Sequence, residues 1–306
     1  MDRDTYHLLA PVTNINDSIL GVHLEPGFQI EKWSYTTPLL NILETLLSDS
    51  ISSSQIQYIL ESSFCVLPSE DFGYVITGKI HVDDVEKHEK NDPLYSLRIL
   101  EGHMERLENR IQLMRLFKEG RIGTLWYFFY KKENDKIIPY IDIRQPFIEG
   151  YEPYNLEITE LADLNNFIDS CNFPFSLPYL QLAYDNFEES YHTENNHMAF
   201  LSLMIAVEAL FNVGQHDLRY RISRSLAVLL SETVEMGEEI FGEIKQFYDK
   251  RSLLVHTGRV MNLSYDDIIE LRDYLRASIK KIYDLNIPKD ALAKKLTALG
   301  YGQPIS

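Results

Sequence analysis

From Leu177 onward the apolar residues recur at helical spacing, and no stretch alternates like a strand. That regularity restricts the second half of the chain to helices packed on helices. Leu177 to Tyr191 places apolar side chains at 177, 180, 183, 187 and 191. His197 to Val213 is apolar almost all round, which predicts a central, buried helix. Asp217 to Leu230 opens on a capping aspartate. Gly237 to Val255 puts Phe241, Ile244, Tyr248, Arg251 and Val255 on one face. Ser264 and Asp267 form a capping box with Asp at its third position, opening a helix to Leu285. In that helix Ile268, Leu271, Leu275, Ile279 and Ile282 face inward. Pro288 ends it, and Ala291 to Leu299 adds a short last helix.

The first half is mixed. Tyr6 to Val12 and Ile19 to Leu24 read as short extended pieces, broken by Pro11, Pro26 and Gly27. Pro38 to Leu47 reads as a helix behind Thr37, whereas Gln55 to Leu67 fits helix or strand. Gly73 to His81 is strand-like, and Val82 to Pro93 is a charged connection. Leu94 to Phe117 has helical spacing. Thr124 to Tyr130 and Ile137 to Ile143 then form an antiparallel hairpin. Gln145 to Asn155 reads as a linker, and Glu157 to Asp169 as a short helix. The expected class is α+β: a mixed α/β domain over residues 1–172, then an all-α bundle over 173–306.

Charge separates the two halves. Residues 1–175 carry 28 acidic and 15 basic side chains, and residues 176–306 carry 18 and 14. A net charge of −17 argues against broad, non-specific nucleic-acid binding but leaves room for a local basic site. The acidic half suits contact with a protein partner. The N-terminus lacks the apolar core of a signal peptide, and no run is apolar enough for a bilayer span. Cys65 and Cys171 stand far apart without metal-ligand spacing, so a cytoplasmic protein without metal or other cofactor is expected.

Two charges sit where apolar residues belong. Arg251 lies on the apolar face of its helix, and Glu208 is a lone carboxylate inside the most apolar helix. An unpaired buried charge is costly, so the economical arrangement sets them face to face across two packed helices. His256 follows Arg251 by five residues, about 140° round an ideal helix. Thr257-Gly258 is a C-terminal cap signal, so the helix is expected to end at Val255 or His256, freeing the imidazole to turn toward the arginine. The same spacing recurs at Arg98 and His103, inside a charged helix with no cap, and is a coincidence there. His192 and His197 lack the spacing of a zincin pair. No phosphate-binding glycine loop and no nucleophile elbow occurs.

Three segments in order resemble the HEPN superfamily, and within it the ApeA-like group, over roughly residues 175–300. They are Leu203 to Phe211 with its internal glutamate, Arg219 to Leu230 with its arginines, and Tyr248-Asp-Lys-Arg-Ser-Leu-Leu-Val-His-Thr-Gly258. The third is similar to the superfamily's Arg-x4–6-His motif with a small polar residue after the arginine. The resemblance implies an all-α bundle that dimerises and, in many members, a metal-independent ribonuclease of antiviral defence or toxin–antitoxin systems. Arg251 and His256 would be the catalytic pair, meeting their symmetry mates at the dimer interface. Ser252 would occupy the polar position, Glu208 and Tyr248 would support the pair, and Arg219, Arg221 and Arg224 would contact the RNA substrate. The 2′-OH of RNA supplies the nucleophile, an imidazole moves the proton, and a guanidinium meets charge on the phosphate. The expected products are a 2′,3′-cyclic phosphate and a 5′-hydroxyl. Other superfamily members act only in binding or dimerisation, which is the alternative role. Where some toxin members have a tyrosine two residues past the histidine, this chain has Gly258, so regulation by modification there is not implied.

Overall fold

A computed structural model describes residues 4–34, 72–82, 95–133, 136–143, 153–214, 216–257 and 263–305. The expected helix at Pro38 to Leu47, the segment Gln55 to Leu67 and Gly258 lie outside the described residues, as do most of the connections Val82 to Pro93 and Gln145 to Asn155. The chain divides into two compact units, Met1–Cys171 and Asn172–Ser306.

The first unit is built on an antiparallel sheet. Its strands are β1 (Asp4–Thr13), β2 (Phe28–Ser34), β3 (Phe72–Val82), β4 (Gly123–Thr124), β5 (Trp126–Glu133) and β6 (Lys136–Ile143). The spatial order is β2-β3-β1-β5-β6, with β4 pairing β1. Directly paired residues of antiparallel strands point to the same face. One face therefore gathers Leu8, Ala10, Ile76, Ile80, Tyr127 and Phe129, all buried. The amphipathic helix α1 (Tyr95–Phe117) packs on that face: Tyr127 donates its hydroxyl to Glu108 at 2.9 Å, and Phe28 lies 5.6 Å from His103. Gly78 permits this packing, because a Cβ there would sit 2.2 Å from the Phe28 ring. A short helix, α2 (Leu161–Ser170), buries Leu164 and Ile168.

The extended piece expected at Ile19 to Leu24 is instead a 3-10 turn, Asp17–Ile19, followed by irregular chain. Asn16 accepts from the Ser18 amide and starts the turn, and Gly21 and Gly27 take positive φ. The strand lies further on, as β2. Its polar residues Gln29, Glu31 and Lys32 leave it no apolar run to read.

The second unit is all helical: α3 (Pro178–His192), α4 (Asn196–Phe211), α5 (Leu218–Leu230), α6 (Val234–Thr257), α7 (Tyr265–Leu285) and α8 (Lys289–Ala298). Asn195 accepts from the amides of His197 and Met198 and so turns α3 sharply into α4. The capping box of α7 forms as read, with Ser264 and Asp267 each accepting from the other's amide at 3.0–3.1 Å. Leu271, Leu275, Ile279 and Ile282 are fully buried.

Three details depart from the sequence reading. Asp217 occupies the N-cap position of α5 but makes no capping bond, because its backbone is left-handed at φ 53°. Helix α4 is buried round most of its circumference, as expected, but leaves one stripe open: Met198 is 53% and Ile205 46% exposed. In α6 the inward line runs through Ile240, Ile244 and Phe247, with Phe241 and Tyr248 flanking it half-buried and Val255 exposed.

Candidate functional site

Helices α4 and α6 carry the two misplaced charges, and packing between them sets where those charges meet. Phe200 of α4 and Phe247 of α6 make an edge-to-face contact at 6.1 Å. Toward the C-terminal ends of the same helices, Arg251 Nη2 lies 3.4 Å from Glu208 Oε1. The ion pair inferred from two lone charges is thus present. It is only partly buried, with the side chains 27% and 23% exposed. It is also not an aligned hydrogen bond: Glu208 Oε1 has no hydrogen-bond partner among the described residues. Glu208 sits in the last turn of α4, where the helix dipole disfavours a carboxylate, so Arg251 offsets both burial and dipole.

Tyr248, one turn before Arg251, flanks the pair. Burial pushes its hydroxyl pKa up, the Glu208 charge adds to the rise, and Arg251 opposes it. The phenol therefore stays protonated at neutral pH and can donate. Ser252 is half-buried beside Arg251.

His256 departs from expectation. Helix α6 does not stop at Val255 or His256 but continues through Thr257. The imidazole therefore keeps its helical direction, about 140° from Arg251, and is exposed with no partner among the described residues. One chain does not bring this arginine and histidine onto one helix face.

The α5 arginines separate into different roles. Arg219 pairs with Asp249 of α6 at 2.6 Å on the surface. The Arg221 guanidinium lies against Gly214, where a Cβ would approach Nη1 to 2.5 Å. Arg224 donates Nη1 to the Leu296 carbonyl at 2.8 Å and Nη2 to that of Leu299 at 2.7 Å, satisfying the open end of α8. Its guanidinium is a brace for α8 and does not join the group around Arg251.

Sequence reading missed a second charged group, between α3 and α7. Arg272 is fully buried, donates Nε to Ser190 Oγ at 3.0 Å, and stacks 3.8 Å over the Tyr191 ring. Arg276 donates to the Tyr191 hydroxyl at 2.9 Å. These arginines fall beside the apolar line of α7, so their burial had no periodic signal; their polar partners on α3 are what admit them. A third group joins α6 and α7. Lys250 pairs with Asp267 at 2.6 Å, and Tyr274 donates to Glu243. Burial, then the charge of Glu243 and a hydrogen bond with it, push the Glu270 carboxyl pKa up to about 7.

Among the described residues, no group of three or more His, Cys, Asp or Glu side chains could hold a metal ion. No helix among them is long and apolar enough to cross a membrane. Comparisons with protein-family models, curated proteins and solved structures returned no match.

Proposed function

We propose that the C-terminal unit is a HEPN-type domain that cleaves RNA without a metal, as a homodimer, in a cytoplasmic defence or toxin–antitoxin role. The carrying observation is the Glu208–Arg251 pair, held by two packed helices yet a quarter open to solvent. Its surroundings support a second copy as the missing partner. Ile205, one turn before Glu208, and Val255, one turn after Arg251, are 46% and 51% exposed. Such an apolar rim around a charged centre suits a protein interface. His256 points away from Arg251 within one chain, so the proton-moving group of a working site comes from the symmetry mate. In that site the Arg251 guanidinium meets the phosphate, the imidazole takes or returns the proton, and the 2′-OH attacks. Glu208 orients the guanidinium, and Ser252 and Tyr248 offer further donors. Arg219 is the α5 arginine best exposed for the RNA strand. The acidic N-terminal unit selects the target through a protein contact.

The test is cleavage of structured and unstructured RNA by the full chain in the presence of a chelator. Wild type yields 2′,3′-cyclic phosphate ends, and His256→Ala lowers the rate by about 10²-fold or more. Cleavage that the chelator abolishes, or that His256→Ala leaves intact, refutes the mechanism. A second reading is a non-catalytic interaction module, favoured by Arg251 and Arg219 both being neutralised by carboxylates. A dimeric chain that cleaves nothing where a control ribonuclease works selects that reading.

A further inference from the structure

The face of the N-terminal sheet opposite α1 has an open trough of about 780 Å³ over β2, β3, β1 and β5. Small-molecule sites span roughly 300–1,000 Å³, so its size suits a ligand. The strand register explains its lining. His7 pairs with Lys79 on one side and Tyr130 on the other, Gln29 pairs with Thr77, and His81 stands two residues beyond Lys79. All of these point to the same face. Elsewhere on that face Leu9, Val75 and Phe128 are buried and apolar, so the polar group interrupts an otherwise packed surface.

The two ends of the trough differ chemically. At one end, Trp33 donates its indole N–H to Glu31 Oε2 at 2.7 Å, and Gln29 Nε2 donates to Oε1 at 2.5 Å. Thr77 also bonds to this carboxylate. The Trp33 bond chiefly holds the Glu31 carboxyl pKa below its usual range, against the effect of burial. Glu31 is therefore an ionised clamp that fixes a half-buried indole. At the other end stand His7, Lys79 and His81. The Lys79 side chain is exposed and makes no hydrogen bond or ion pair among the described residues, although its unit is strongly acidic. A cation left unpaired in a concavity, at a distance from a fixed aromatic wall, is suited to a ligand that is anionic at one end and planar at the other.

The spacing narrows the class. Glu31, toward which the indole leans, pairs with Val75, four residues from Lys79. At about 3.3 Å per residue this is about 13 Å, the reach from the base to the outer phosphates of a nucleoside polyphosphate. We propose that this trough binds a nucleoside di- or triphosphate, its phosphates at Lys79, His7 and His81 and its base against Trp33, with Gln29 and Thr77 as hydrogen-bonding side chains. The proposal stands independently of the ribonuclease reading.

The experiment titrates the full chain with ATP, GTP, CTP and UTP separately, by calorimetry and intrinsic fluorescence. The chain has two tryptophans, Trp33 in the trough and Trp126 fully buried, so quenching on saturation reports on Trp33. At least one nucleotide binds saturably and quenches. Lys79→Gln weakens it at least tenfold with unchanged melting, and Gln29→Ala weakens it less. Lys131→Gln, a charge removed from the opposite face beside Tyr6, leaves binding intact. Absence of saturable binding by all four nucleotides overturns the proposal. So does inorganic tripolyphosphate binding as tightly as the best nucleotide, which reduces the site to a general anion contact. Binding of a single-stranded oligoribonucleotide without any nucleotide also overturns it and makes the trough an RNA path.

Discussion

A double-mutant cycle on Glu208 and Arg251 measures what holds the candidate site together. At 3.4 Å the Coulomb attraction is about 5 kcal/mol for an effective dielectric near 20. Each side chain is about a quarter exposed and no aligned hydrogen bond adds to the pair, so screening and desolvation remove most of that. The remaining coupling is about 1–2 kcal/mol. Arg251→Ala costs more, about 2 kcal/mol, because it leaves a part-buried carboxylate alone against the α4 dipole. Glu208→Ala costs about 1 kcal/mol, since the freed guanidinium can reach water. The assay is urea unfolding of wild type, both single variants and the double variant, followed by far-UV circular dichroism and tryptophan fluorescence. Both tryptophans lie in the first unit, so fluorescence reads that unit and the helical signal reads chiefly the second. A coupling below about 0.3 kcal/mol would show that the two charges are independent and remove the structural basis of the site.

Two further perturbations follow from the packing and the titration. The Glu270 carboxyl, raised from 4.5 to about 7, binds its proton more tightly folded than unfolded. Its stabilising effect is therefore complete below about pH 4.5 and is lost as pH rises through about 7. Glu270→Gln should leave thermal stability nearly unchanged near pH 4 and raise it by about 1 kcal/mol near pH 8, after allowance for solvent screening; a gain equal at both pH values contradicts the assignment. Gly78→Ala drives a methyl group into Phe28 and the Gly27 carbonyl, so the fluorescence-detected transition should lose about 1–3 kcal/mol. An unchanged transition would mean that β2 and β3 are less closely apposed.

The sequence by itself determined the elements whose signals are local. Helical spacing from Leu177 onward placed α3 to α8 within a few residues, because a 3.6-residue period and capping residues are written along the chain. Alternation and aromatic runs likewise placed β3, β5 and β6. Two charges stranded on apolar helices even announced each other, since burial without a partner is prohibitive. What packing alone decided depends on neighbours far away in sequence. The apolar helix α4 turned out to have one open side, because an apolar residue can lie at an edge as well as in a core. Arg272 is buried because Ser190 and Tyr191 receive it, and Arg224 is engaged because the carbonyls ending α8 lie within reach. The direction of His256 was settled by α6 running on through Thr257, which keeps the imidazole on its helical bearing. The trough beside Lys79 is the furthest from local information, since it exists only through the register of four strands that the chain visits out of spatial order.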